Sequence, residues 1–259
     1  MRNLFFILIS IVLFNFSSQS VRKTDLDITN LKGNVKSWKT FQYKAIEKNG
    51  KIEKTKVDNS GHSVSVDNQL EFDKNGMITE QRKYISDNLV HKFIYTYDDQ
   101  LNILNKDLYD SSGNLLAESK FENSHNLKGE LIEEIEFITG KNVTGNWTHK
   151  FFENNNEVRK IEGWGNEASK IFEYTYDKNG RVIEEIWKSS NGEIYIKTIR
   201  EYENGNLSLE SLFDSNDSLI SISRFKYLDF DHENNWTKIL VTENDKLDKI
   251  IEAKIEYYN

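Results

Sequence analysis

Three times the sequence sets an aromatic residue, an aspartate, two polar residues and a glycine in the same order: Phe72-Asp73-Lys74-Asn75-Gly76, Tyr109-Asp110-Ser111-Ser112-Gly113 and Tyr176-Asp177-Lys178-Asn179-Gly180. No other feature constrains the fold as strongly. Asp at the first position of a type I turn accepts backbone N–H bonds two residues on, and Gly at the fourth tolerates the positive φ that closes a short hairpin with a bulge. Asp73, Gly76, Asp110, Gly113, Asp177 and Gly180 are therefore expected to define turns, with the aromatic residue ending the preceding strand. Weaker copies follow, among them Phe213-Asp214-Ser215-Asn216-Asp217, Ser189-Ser190-Asn191-Gly192 after Trp187, and Tyr97-Asp98-Asp99-Gln100-Leu101, which has lost the Gly. Proline is absent, so turns fall to Asn, Asp, Gly and Ser.

Between these turns the apolar residues recur with period two, as in Phe93, Tyr95 and Tyr97 or Phe172, Tyr174 and Tyr176, which is the signature of strands. One strand plus one turn repeated along the chain predicts an all-β fold: an antiparallel meander of β-hairpin repeats forming one long twisted or curled sheet. The recurrence of Asn146-Trp147-Thr148 as Asn235-Trp236-Thr237 suggests two diverged halves, near 27–150 and 151–259, within a single domain covering 21–259.

The N-terminus carries an address. Arg2 precedes the apolar run Leu4 to Phe14, broken only by Ser10, and Ser18-Gln19-Ser20 supplies small residues for cleavage. Eleven positions are too few to cross a bilayer, which needs about 20. Residues 1–20 are expected to be a signal peptide, leaving an exported periplasmic or extracellular protein. Cysteine is absent, which removes disulfides, thiolate metal sites, Cys nucleophiles and a lipid anchor attached through an N-terminal Cys. A formal charge of −8 and a pI near 5.3 oppose nucleic-acid binding, which needs clustered Lys and Arg.

The string Tyr176-Asp177-Lys178-Asn179-Gly180-Arg181-Val182, supported by Tyr109-Asp110-Ser111-Ser112-Gly113-Asn114-Leu115, resembles the YD repeat of the bacterial RHS/YD-repeat proteins, loosely over residues 72–220. The resemblance implies antiparallel strands coiled into a large sheet, in that family often a shell around a C-terminal toxin, with carbohydrate binding also proposed. No long cargo region follows the repeats here, so the chain reads as a small exported protein of YD-like type.

Catalytic patterns are missing. The five His residues form no i, i+4 pair and no HExxH, there is no G-x-S-x-G, and no phosphate-binding glycine loop follows a strand. Asp229, Asp231 and Glu233 open like a calcium loop but lack its Gly and its closing Glu. No catalytic, metal or cofactor residue is assigned. Glu133, Glu134 and Glu136 read as alternating exposed residues of a strand. Trp164 and Trp187, flanked by Gly163, Gly165 and Gly192, are the candidates for stacking on a ligand. The chain is read as a non-catalytic binding or structural module at the cell envelope, its partner a glycan or an envelope protein. The alternatives are a glycan-active hydrolase using paired carboxylates and an immunity or accessory protein for an exported toxin.

Overall fold

Each copy of the five-residue string builds the same connection. In the computed structural model, which describes residues 23–56, 66–140, 143–154 and 156–259, Asp177 Oδ1 accepts the N–H of Asn179 at 2.8 Å and of Arg181 at 3.0 Å. The Gly180 N–H returns to the Asp177 carbonyl at 2.9 Å. Asp73 holds Asn75 and Met77 in the same way, and Asp110 holds Ser112 and Asn114. Gly76, Gly113 and Gly180 take φ values of 82°, 85° and 74°. In the degenerate copy Asp98 still accepts from Gln100 and Asn102, so Leu101 is forced to φ 64°, a region that costs a residue with a Cβ about 1–2 kcal/mol. Leu101→Gly should therefore raise stability by about 0.5–1 kcal/mol once the entropy of Gly is subtracted. Gly113→Val should lower it by about 1–2 kcal/mol through φ alone, since nothing lies within 4 Å of the added Cβ. Urea unfolding of the two variants checks this, and changes of the same sign would defeat the account.

Among the described residues a short helix, α1 (Asp25–Thr29), precedes seventeen strands. They are β1 (Val35–Lys48), β2 (Lys51–Lys56), β3 (Asp67–Phe72), β4 (Ile78–Ile85), β5 (Asn88–Tyr97), β6 (Ile103–Asp110), β7 (Leu115–His125), β8 (Leu131–Gly140), β9 (Val143–Glu153), β10 (Asn156–Trp164), β11 (Glu167–Tyr176), β12 (Val182–Ser189), β13 (Ile194–Glu203), β14 (Asn206–Phe213), β15 (Leu219–Phe230), β16 (Trp236–Glu243) and β17 (Lys246–Tyr257). The expected signal segment lies outside the described residues, and the suggested boundary near residue 150 falls within β9.

The expectation of one long twisted or curled sheet is corrected by the two ends of the chain. β1 pairs with β17 from Val35↔Tyr257 to Lys44↔Lys249, while Ser37–Thr40 of β1 pair with β3 on its other edge. β3 to β17 pair in sequence order, so the sheet closes into a 16-strand barrel. β2 stays outside the ring as a hairpin on the second half of β1. The physical cause lies beside the turns. Every ladder between successive strands from β3 to β17 carries a register shift. Such bulges bend the strand and increase its right-handed twist. Summed around the meander, they coil the sheet until its first and last strands meet.

The register sorts the side chains. Tyr174, Glu185, Thr198 and Arg200 face the lumen, as do their neighbours two residues along, while Glu173, Ile186, Lys197 and Ile199 face outward. The outer wall carries charge all around the ring, including Glu80 with Arg82 on β4, Glu173 with Lys188 across β11 and β12, and Lys238 with Glu252 across β16 and β17. One mouth is formed by the turns after β3, β5, β7, β9, β11, β13 and β15. There Leu31, Val35, Leu70 and Phe72 make an apolar cluster with Leu26, Trp38, Ile78, Ile255 and Tyr257, and α1 lies over it.

A candidate ligand cavity in the barrel lumen

Beside α1 the lumen opens into a cavity of about 1270 Å³ lined from α1 and from strands on opposite sides of the ring. Its walls carry six tyrosines, Tyr95, Tyr97, Tyr174, Tyr176, Tyr202 and Tyr227, and its rim carries the amides of Asn30, Asn156, Asn179 and Asn206. The tyrosines that end strands are fixed by one repeated bond. The Tyr97 hydroxyl donates to the Ile78 carbonyl at 2.8 Å, Tyr176 to Glu157 at 2.5 Å and Tyr202 to Val182 at 2.9 Å. In each case the phenol reaches the first residues of the preceding strand and ties two hairpins together at the mouth. The aromatic position of the turn string therefore does more than cover its own turn.

The charges on the wall are balanced: Lys23, Lys150, Arg181 and Arg200 against Asp25, Asp27, Glu134 and Glu157. Lys150 Nζ donates to Glu134 Oε1 at 2.7 Å. Arg200 spans two carboxylates, Glu210 at 2.8 Å and Glu185 at 2.9 Å. Arg181 is held by Asp177 at 2.7 Å and lies 4.5 Å over the Tyr202 ring. Glu134 and Glu136 are 2% and 5% exposed, paired with Lys150 and Lys106. Of the three carboxylates expected to be exposed on this strand, only Glu133 faces outward. Glu133 and Glu134 are consecutive, and in a strand consecutive residues stand on opposite faces.

Burial pushes the Glu157 carboxyl above the usual range against the pull of Lys150 and Lys160, and the Tyr174 hydroxyl hydrogen-bonds to it. Burial, with Glu157 and Glu185 nearby, pushes Tyr176 up to about 12, so the phenol stays a neutral donor. Burial alone would lower the Lys150 ammonium, but Glu134 and Glu157 outweigh it and leave it raised. Of the four carboxyls on the wall, the two carried by strands are Glu134, held by Lys150, and Glu157, biased toward its neutral form. What the wall offers a ligand is neutral hydrogen bonding and aromatic faces.

The residues singled out from sequence lie elsewhere. Asp73, Gly76, Asp110 and Gly113 sit in turns; of the turn set only Gly180 lines the cavity, with Asp177 behind it on Arg181. Trp187 is on the lumen face farther from α1, its ring 6.0 Å from Phe172 and 5.6 Å from Tyr195. Trp164 is 67% exposed at the opposite mouth. Asp231 of the calcium-like string is occupied by the N–H groups of Glu233 and Asn235 and by the Tyr257 hydroxyl. Among the described residues no group of three His, Asp or Glu could hold a metal ion. Of the cavity tyrosines, Tyr95, Tyr97, Tyr174 and Tyr176 stand in the two period-two aromatic series of the sequence. Which face of their strands turns inward is not legible there.

No protein-family model and no curated protein matches the chain. Among solved structures it is similar to a porin-like protein from Bacteroides uniformis, with 10% identity, TM-score 0.39, and coverage of 86% of this chain and 98% of the other. A porin-like protein from Bacteroides vulgatus is similar at 14% identity and TM-score 0.35, covering 88% and 99%. The Photorhabdus luminescens Tc holotoxin pore is similar at 15% identity and TM-score 0.28, over 73% of this chain and 12% of that one.

Proposed function

We propose that the chain is an exported, non-catalytic β-barrel of the cell envelope that binds an uncharged, hydroxyl-rich ligand, a glycan segment, in the cavity beside α1. The observation that carries this reading is the balance of the wall. Three of its four cations are already held by carboxylates, Lys150 by Glu134, Arg181 by Asp177 and Arg200 by Glu185 and Glu210, while the amides and phenol oxygens provide neutral hydrogen-bonding groups and the rings provide stacking faces. Trp187, farther along the lumen, and Trp164, at the opposite mouth, are proposed as further stacking surfaces. Export rests on the Leu4 to Phe14 run and Ser18-Gln19-Ser20.

A barrel at the envelope invites a place inside the bilayer, and the outer wall argues for water instead. Lys or Arg facing lipid at the bilayer midplane costs about 2–4 kcal/mol each, and Arg82, Lys188, Lys197 and Lys238 all stand on the outer face. The test uses native protein purified from a periplasmic extract, with its N-terminus expected at or near Val21 by mass spectrometry. Calorimetric titration with neutral and anionic oligosaccharides of equal length should give binding by the neutral series that falls at least tenfold in Tyr174→Ala. Capture of an envelope protein with no response to any oligosaccharide would replace the glycan with a protein partner.

A further inference from the structure

We propose that residues 23–31 form a strap across the α1 mouth that swings away on its C-terminal end and sets the size of molecule admitted to the lumen. The strap is self-contained. Thr24 Oγ1 accepts the Asp27 N–H at 3.2 Å while the Asp27 carboxylate accepts the Thr24 N–H at 2.8 Å, so the helix keeps its own bonds when it moves. No residue of α1 is buried. Its C-terminal end is the fixed one. Leu31 is buried in the apolar cluster, and the Lys32 N–H donates to Asn235 Oδ1 at 2.8 Å. Asn30, at φ 56°, ends the helix in front of that buried leucine and marks the pivot. The N-terminal end is tied to the β9–β12 side of the mouth by Lys23, whose Nζ donates to Asn156 Oδ1 at 2.6 Å and to the Gly180 carbonyl at 3.3 Å. Between this tie and the pivot, Leu26 and Asp25 rest on the β3–β4 turn through Gly76 and Ile78. Opening about the buried pivot breaks a short set of contacts: the two Lys23 bonds, the Leu26 N–H to Gly76, the bonds from the Ile78 N–H and the Tyr97 hydroxyl to Asp25, and the packing of Leu26 on the apolar cluster, which makes the strap the low-stability element of the mouth.

The test does not depend on what the lumen binds. The chain has no cysteine, so Val182→Cys, on the cavity wall, places a lone thiol inside, and Thr175→Cys, on the exposed face of β11, places one outside. A small methanethiosulfonate and a bulky poly(ethylene glycol) maleimide are applied to each, with and without Lys23→Ala. The bulky reagent should label the inner thiol at least tenfold faster when Lys23 is replaced, with the outer thiol unchanged. In the unsubstituted protein the Leu26 amide should exchange its hydrogen at least a hundredfold faster than the amides of β11. An unchanged inner rate, an equal rise at both thiols, or Leu26 protected as well as β11 would each overturn the strap.

Discussion

Lys150→Met is expected to lower the free energy of unfolding by about 3–5 kcal/mol, the usual cost of removing one partner from a buried ion pair. Glu134 is 2% exposed and meets Lys150 at 2.7 Å; without the ammonium its charge stays in the lumen wall with less to offset its desolvation. Replacing both residues, Lys150→Met with Glu134→Leu, should recover most of the loss, because the penalty belongs to the stranded charge. The outer pair Lys188 and Glu173, at 2.5 Å but with Glu173 well exposed, is the control. Lys188→Met should cost under about 1 kcal/mol. The deficit should also shrink on acidification. Lys150 is one of the groups holding the raised Glu157 down, so without it the folded state binds protons more readily than the unfolded chain. A group whose folded pKa is raised in this way adds stability as pH falls toward the ordinary carboxylate range. Guanidinium titrations at neutral and mildly acidic pH measure both effects. Equal losses at Lys150 and Lys188 would mean that the lumen is as wet as the outside.

How far these features can be read from sequence depends on whether the determining interaction is local. The Asp–Gly turns are local: the side chain, its two N–H donors and the positive φ lie within five residues, and the string at 177–181 states all of them. The helix cap at Thr24 and Asp27 is equally local, since the Thr-x-x-Asp spacing contains both partners of the capping box. Closure is the opposite case. Val35 and Tyr257 become register partners only after every intervening hairpin has added its bend, and no short window records that sum. The lumen fails for another reason. Period two divides a strand into two faces without labelling them, and the usual label, apolar inside, does not apply where the inner face carries Glu134, Lys150 and Arg200 while the outer carries Ile171, Ile186 and Ile199. In a wide barrel the inward face borders a cavity as well as a core, so polar and charged residues stand on both sides of the wall.

Closure can be tested by placing a proline at each of two neighbouring positions in the last strand. Successive residues of an antiparallel strand send their N–H groups to opposite edges. Ile251 and Glu252 are consecutive in both ladders of β17, paired with Gln42 and Phe41 on β1 and with Ile239 and Lys238 on β16. In an open sheet β17 would be an edge strand, and one of the two prolines would fall where the N–H faces solvent, a position prolines accept. In the closed ring both positions are interior. Ile251→Pro and Glu252→Pro are each expected to cost about 3 kcal/mol or more, enough to lower the midpoint of thermal unfolding by many degrees. Glu252→Ala accounts for the lost ion pairs to Lys54 and Lys238, and Ile52→Pro, in exposed β2 outside the ring, should be the mildest of the set. A thiol pair supplies an independent reading, since Thr40 and Ala253 are register partners across the seam in a chain that has no other cysteine. Oxidised Thr40→Cys/Ala253→Cys should run as a compact monomer whose unfolding midpoint rises. If either proline variant melts within about 1 kcal/mol of the parent, β17 has a free edge and the ring is open at β1.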